Sequence, residues 1–228
     1  MSFLAFTVTD KPDHPGCVRL KKSADFWGWD LKVVEQEGFE RQTYRAEQLG
    51  WLKAFDMHPQ DSIFLYLDAW DTIFTGPPQE LALPKEKLTF STDFQCFPNP
   101  ALEDVFPKVL QGEGRYINAG VVWGDMGVAW GLAKEYLALE NQLCQQDFFN
   151  ARYIYEMLLG RDRLQLDTSH RVALSTWGMD PAYSSLYFRN GRTHYKPTGT
   201  TPLVLHQAGS TSFHVVPPMP EWENARYL

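Results

Sequence analysis

Short apolar runs alternate with amphipathic stretches along the chain. Phe3 to Thr9 is apolar and β-branched and ends at Asp10. The breaker-rich Lys11-Pro12-Asp13-His14-Pro15-Gly16 follows, so the pattern predicts a buried strand, then a loop, then a helix through Phe26. Leu31 to Val34 reads as a second strand, and Thr43 to Phe55 carries apolar residues at helical spacing. Ile63 to Leu67 is a continuous apolar strand that runs into Asp68-Ala69-Trp70-Asp71, and Thr72 to Phe74 resumes the strand character before Gly76-Pro77-Pro78. Leu88 to Ser91 and Ala119 to Trp123 predict further core strands, while Met126 to Leu143 and Gln146 to Leu159 predict helices with apolar faces. After the Pro/Gly-rich stretch from Lys196 to Pro202, Leu203 to Leu205 reads as a strand that delivers His206 at its end. The prolines between Pro217 and Trp222 exclude regular structure there and predict an irregular arm at about 212–228.

Strands that alternate with helices predict an α/β domain: a mostly parallel central sheet flanked by helices, with its ligand beyond the carboxyl ends of the strands. There is no internal repeat, low-complexity tract or long Gly/Ser linker, so residues 1–228 are expected to form one domain.

Composition narrows the function class. The 228 residues carry 21 Lys+Arg against 28 Asp+Glu, a formal charge of −7. That balance argues against a long nucleic-acid backbone as the main partner, because such binding rests on cations displacing counterions. An apolar fraction of 44% is ample for one packed core. No apolar run approaches the roughly 20 residues that cross a bilayer, and no secretory signal is visible, so the expectation is a cytoplasmic protein with no membrane association. Cys17, Cys96 and Cys144 are too far apart for a close-spaced zinc pattern, and an odd count is unlike a disulfide framework.

The chemistry concentrates at strand ends. Asp68 and Asp71 follow one buried strand, and His206 follows another. If Leu203 to Leu205 lie beside Ile63 to Leu67, two carboxylates and one imidazole converge on a cation, a donor set that suits manganese or magnesium with positions left for substrate phosphates. On spacing alone the alternative stands open that Asp68 caps a turn, Asp71 is solvated and His206 is a hydrogen-bonded core residue. The nucleophile loop of haloacid dehalogenase-like phosphatases is excluded, since its second acid would fall on Trp70. No dinucleotide-binding glycine turn is present, and Gly112-Glu113-Gly114 lacks the rest of a P-loop.

Several segments, in order, resemble the glycosyltransferase domain of procollagen lysyl hydroxylases and related collagen glycosyltransferases, which have a GT-A fold. They include Phe64 to Phe74 (FLYLDAWDTIF), Thr89 to Pro98 (TFSTDFQCFP), Tyr116 to Gly124 (YINAGVVWG), Gln145 to Asn150 (QQDFFN) and Pro202 to Gly209 (PLVLHQAG). The resemblance implies that Asp68, Asp71 and His206 bind Mn2+ (or Mg2+), which holds the diphosphate of a UDP-sugar. It implies that Trp70 stacks on the uracil, where the family has a tyrosine, and that Thr7, Thr9 and Asp10 form the uridine-binding edge. Asn118, Ala119 and Gly120 resemble the sugar-facing turn, with Gln145 and Gly209 also near the donor. Asp93 and Asp147 are the implied candidates for the carboxylate that serves the acceptor hydroxyl. A plain core tryptophan is the alternative for Trp70, and an exposed loop acid the alternative for Asp93.

The chain departs from the family pattern at three positions: Gln145 replaces an acid, Ala208 an asparagine and Ser212 a lysine. The function implied is metal-dependent transfer of a hexose from UDP-glucose or UDP-galactose to an acceptor hydroxyl, in a hydroxylysine-like residue of a collagen-like protein, a glycan or a hydroxymethylated base in DNA. The departures motivate one alternative, a catalytically silent nucleotide-sugar binding module. A metal-dependent nucleotide-hydrolysing or phosphotransfer enzyme is the other.

Overall fold

A computed structural model of the protein describes residues 2–59, 61–82, 84–139, 144–177, 186–189 and 192–208. Its elements run β1 (Phe3–Thr9), α1 (Pro15–Trp27), β2 (Leu31–Glu35), α2 (Phe39–Phe55), β3 (Ile63–Leu67), β4 (Thr72–Phe74), β5 (Leu88–Asp93) and β6 (Tyr116–Asp125). They continue with α3 (Met126–Leu137), α4 (Gln145–Leu158), β7 (Leu164–Leu166), β8 (Ala173–Ser175), β9 (Leu186–Arg189), β10 (Arg192–Tyr195) and β11 (Val204–His206).

Six strands form the main sheet in the order β2-β1-β3-β6-β5-β7. β1 pairs in parallel with β2 and β3, and β5 with β7, whereas β6 runs antiparallel to both its neighbours. A parallel neighbour needs a crossover, usually a helix, and between β5 and β6 the chain offers only the single turn Pro100–Leu102. The reversal puts the first half of β6 at the carboxyl ends of the other five strands, which is where the site forms.

Period-2 alternation divides each central strand between two cores. Leu4, Phe6 and Val8 of β1 pack with Phe64 and Tyr66 of β3 beneath Trp51 of α2, Met126 of α3 and Phe149 of α4. On the opposite face Ala5, Leu65 and Leu67 meet Leu20 and Ala24 of α1 and Phe74 and Val204 of a second sheet. That sheet has the order β4-β11-β8, with β11 antiparallel to β4 and parallel to β8. A third core packs Ile73, Leu174 and Leu205 against Leu186 and Tyr195 of the antiparallel β9–β10 pair. No described helix is long and apolar enough to cross a membrane.

The α/β alternation expected from the sequence is therefore present. The expected neighbour of Leu203 to Leu205 is not: β11 lies beside β4 in the second sheet, not beside β3. β6 begins at Tyr116 rather than Ala119, β5 continues to Asp93, and α3 stops at Leu137. Gly209, Ser212 and the arm at about 212–228 lie outside the described residues.

Candidate functional site

Asp68 follows β3 and Asp71 precedes β4, so one short loop carries both acids across the seam between the two sheets. β11 brings His206 opposite Thr72, and the backbone N–H of Gln207 donates to the Asp71 carbonyl at 2.8 Å. The buried imidazole thereby meets both carboxylates, its Nε2 3.5 Å from Asp68 Oδ2 and 3.3 Å from Asp71 Oδ1. One ligand atom from each residue falls within 4.8 Å of the others. Metal bonds of about 2.0–2.6 Å put the ligands of one ion within roughly 5 Å of each other, so the three side chains fit a single cation.

Two further observations support that fit. Nε2 of His206 is buried without a hydrogen-bond partner. Space beside it is kept open by Gly120, where a β-carbon would overlap the His206 ring and lie 2.5 Å from Asp68 Oδ2. The charges agree: burial and the neighbouring Asp71 push the Asp68 carboxyl up to about 6. Burial works to lower the His206 pKa, but the Asp71 and Asp68 carboxylates outweigh it and raise it to about 9. In the absence of a metal, the two carboxylates favour the protonated imidazole of His206.

Two hydrogen-bond chains hold these side chains. His206 Nδ1–H donates to Asn118 Oδ1 at 3.0 Å, and Asn118 Nδ2 donates to both oxygens of Asp93 at 3.0 and 3.1 Å. The first bond leaves Nε2 as the nitrogen that could face a metal, the arrangement usual behind a ligating histidine. In the other chain Gln145 Nε2 donates to Glu47 Oε1 at 2.9 Å, the Glu47 carboxyl meets the Tyr66 hydroxyl, and that hydroxyl donates to Asp68 Oδ1 at 2.9 Å. Burial, then the charge of Asp68, pushes Glu47 up to about 8.

Asn118 and Gly120 reach the site because β6 bulges. Phe90 of β5 pairs with Val122, yet the next residue, Ser91, pairs with Asn118, leaving residues 119–121 unmatched. The expected sugar-facing turn is thus a bulge inside a strand, a device that re-aims side chains next to active sites.

Two adjoining cavities share Tyr44, Glu47, Asp68 and Asp71. The larger, about 400 Å³, is bounded by Thr9 and Asp10 at the end of β1 and by Trp70. Trp70 is 38% exposed and is not a core residue. One face of its indole stacks on His14 at 4.6 Å, its Nε1 donates to Thr9 Oγ1 at 3.2 Å, and Gly16 of α1 lies too close to its backbone for any β-carbon. Thr7 is fully buried within β1 and lines neither cavity.

The smaller cavity, about 270 Å³, is reached by Asp93, Asn118, Ala119, Gly120, Gln145 and His206. Asp93 is buried rather than an exposed loop acid, and burial raises its pKa to about 6 against the hydrogen bonds from Ser175 and Asn118. Asp147, in the first turn of α4, lines neither cavity. Sequence reasoning missed Glu47, although an acid four residues before Trp51 on the buried stripe of α2 was a visible signal. It also missed Phe97 and Trp177 at the edge of the smaller cavity, which follow no pattern.

Residues 1–216 match the family model described as the PLOD GT domain. Procollagen-lysine,2-oxoglutarate 5-dioxygenase 1 of Mus musculus is 24% identical over 231 residues, covering 94% of this chain and 31% of that protein. Multifunctional procollagen lysine hydroxylase and glycosyltransferase LH3 of Homo sapiens is 25% identical over 216 residues, covering 88% of this chain and 29% of that protein. The chain thus spans about a third of the length of these relatives. Among solved structures, a glycosyltransferase involved in glycosylation of the major capsid of PBCV-1 superposes with a TM-score of 0.58 at 13% identity, covering 92% of this chain and 94% of that one. The galactosyltransferase LgtC, in complex with donor and acceptor sugar analogs, gives 0.50 at 16% identity, covering 97% and 99%. The fold is that of the GT-A glycosyltransferases.

Proposed function

Since the chain belongs to the PLOD GT domain family, we propose that it transfers a hexose from UDP-glucose or UDP-galactose to an acceptor hydroxyl, with Mn2+ or Mg2+ held by Asp68, Asp71 and His206. The observation that carries this reading is the convergence of those three side chains where the two cavities meet. We read residues 1–228 as one such domain.

When bound, the ion would supply Lewis-acid stabilisation of the charge that builds on the departing diphosphate. The chain's own residues do the rest. The free face of Trp70 offers a stacking surface for the uracil, with Thr9 and Asp10 along its edge. Asn118 fixes the His206 tautomer, and Gln145 and Tyr66 hold the Glu47 carboxyl toward the shared floor of the cavities. Gln145 cannot act as an acid, but Glu47 brings a carboxyl to the same place. In the transfer, an acceptor oxygen bonds to the anomeric carbon, the bond from that carbon to the diphosphate breaks, and UDP leaves with the electron pair. The hydroxyl proton passes to Asp93, the candidate base that lines the cavity. Thr7 and Gly209 remain assigned to the donor by resemblance alone, and Asp147 has no described path to the reacting atoms.

UDP release from UDP-glucose and UDP-galactose, measured with and without manganese in the wild type and in Asp71→Ala, tests the reading. Metal-dependent release lost in the variant is the expected result. Release of inorganic phosphate instead would point to nucleotide hydrolysis. Donor binding without release would identify a silent binding module, the reading favoured by Ala208, which lines the smaller cavity where the family has an asparagine.

A further inference from the structure

The smaller cavity opens past an aromatic pair that no role described so far uses. Phe97 and Trp177 lie 5.9 Å apart, ring centre to ring centre, in an edge-to-face arrangement of 66°. They are 42% and 37% exposed. Large apolar rings left in water are costly unless they serve contact, yet the backbone under each is pinned. The Phe97 carbonyl accepts from Gln146 Nε2 and from Asn150 Nδ2, both at 3.1 Å. The Trp177 carbonyl accepts from the Phe94 N–H at 3.2 Å, and the Trp177 N–H donates to Ser175 Oγ at 3.4 Å. These are anchored platforms rather than loose loop residues, and anchoring lowers the ordering cost of binding.

What such a platform can hold follows from the charges around it. No lysine or arginine is among the described residues that line this cavity, so nothing there offers a counter-charge to a phosphate backbone. Its carboxylates are engaged: Asp68 and Asp71 by the metal set, Asp93 by Asn118, and Glu47 by Gln145 and Tyr66. Asp93, the proposed base, is taken up by the hydroxyl proton, and none of the other three is left to receive the ammonium of a hydroxylysine. Neutral amides, Gln145 and Gln146, line the same cavity as the two rings, and an indole in a cavity with amides matches a ring with one C–H face and a rim of hydroxyls.

We propose that Phe97 and Trp177 form the acceptor subsite and that the acceptor is a neutral pyranoside, a terminal hexose of a glycan, stacked on Trp177. The assignment of this cavity to the acceptor rests on the transferase reading above.

The test measures direct binding of methyl β-glucoside and methyl β-galactoside by saturation-transfer NMR, on the full chain with manganese and UDP and without them. At least one hexoside is expected to bind, with affinity falling about tenfold in Trp177→Ala and largely kept in Trp177→Phe, the scale of one aromatic contact. The same loss should appear in KM for transfer to that hexoside, not in kcat. If Trp177→Ala fails to fold, Phe97→Ala carries the same expectation. Absence of hexoside binding, or binding untouched by both substitutions, overturns the proposal. So does binding of a hydroxylysine peptide or a hydroxymethylcytosine oligonucleotide with the same dependence on Trp177 while hexosides fail. Failure of UDP and manganese to bind, with Trp177-dependent hexoside binding intact, would overturn the transferase reading and leave a sugar-binding platform.

Discussion

The two sides of the Asp68–Asp71 pair are built by different means. On the Trp70 side, the walls are strand ends and a helix face, and the exposed feature is an indole surface steadied by His14, Thr9 and the close approach of Gly16. On the Asn118 side, the walls are side chains bonded to one another, Asp93 to Asn118 to His206 and Gln145 to Glu47, which is linked to Asp68 through Tyr66 of the larger cavity. A surface tolerates displacement by a few tenths of an ångström, because stacking is broad in angle and distance. A chain of hydrogen bonds ending on a proposed metal ligand does not, since each bond sets the direction of the next. The first side should therefore lose affinity gradually under substitution, and the second in steps.

The sharpest break would come at the seam itself. Asp71→Ala removes one of the two carboxylates of the proposed metal set and should abolish metal-dependent UDP binding by calorimetry; unchanged affinity and metal dependence would remove the basis of the metal site. Gly120→Ala should come next, because its new methyl would displace His206 and Asp68 together. Manganese affinity is expected to fall by more than about 100-fold, beyond the loss typical of an outer-shell change, while circular dichroism reports an intact fold. Asn118→Leu keeps the branched shape and removes the partner of His206 Nδ1, with an expected loss of about 10- to 100-fold in manganese affinity. A loss smaller than that of Trp70→Ala would erase the distinction between the two sides.

Trp70→Ala itself should weaken UDP by about 1 kcal/mol, the low end of base stacking, because His14 already covers one face. Unfolding of that variant, or normal UDP binding, would remove Trp70 from the nucleoside site. The smallest effect concerns pH. Burial raises Glu47 to about 8 and Asp68 and Asp93 to about 6, so ionising them as pH climbs through those values destabilises the metal-free protein. His206 acts in the same direction. Its folded pKa near 9 gives stability that is full below an unfolded value of about 6.5 and lost as pH rises toward 9. A metal reverses both, so its gain in melting temperature should be greater at pH 8.5 than at pH 6, by about 2–4 °C for each kcal/mol. An equal gain at both pH values would show that these groups do not exchange protons for the ion.

The features legible in the sequence were those written in neighbouring residues. The apolar runs of β1 and β3, the acids of the intervening loop and the strand-helix alternation all depend on local pattern, and they stand where expected. His206 was visible as a strand-end imidazole, but its neighbour was not, because three apolar residues carry no record of which strand they pair with. The bulge at residues 119–121 escaped for a related reason: it is a mismatch between β5 and β6, a property of neither alone. Glu47 could have been found as an acid on an apolar stripe. The exposed rings of Phe97 and Trp177 could not, since an aromatic residue in a loop looks the same whether it faces water or a ligand.

The pairing of β11 with β4 also sets an order in time. A ribosome delivers Asp68 and Asp71 early and His206 only after the strands of the main sheet have been made, so a nascent chain that stops short of Val204 carries both acids and no third ligand. On the proposed reading, a chain that has not yet reached His206 cannot complete the three-residue set, so the metal site closes only after every strand of the main sheet has been synthesised.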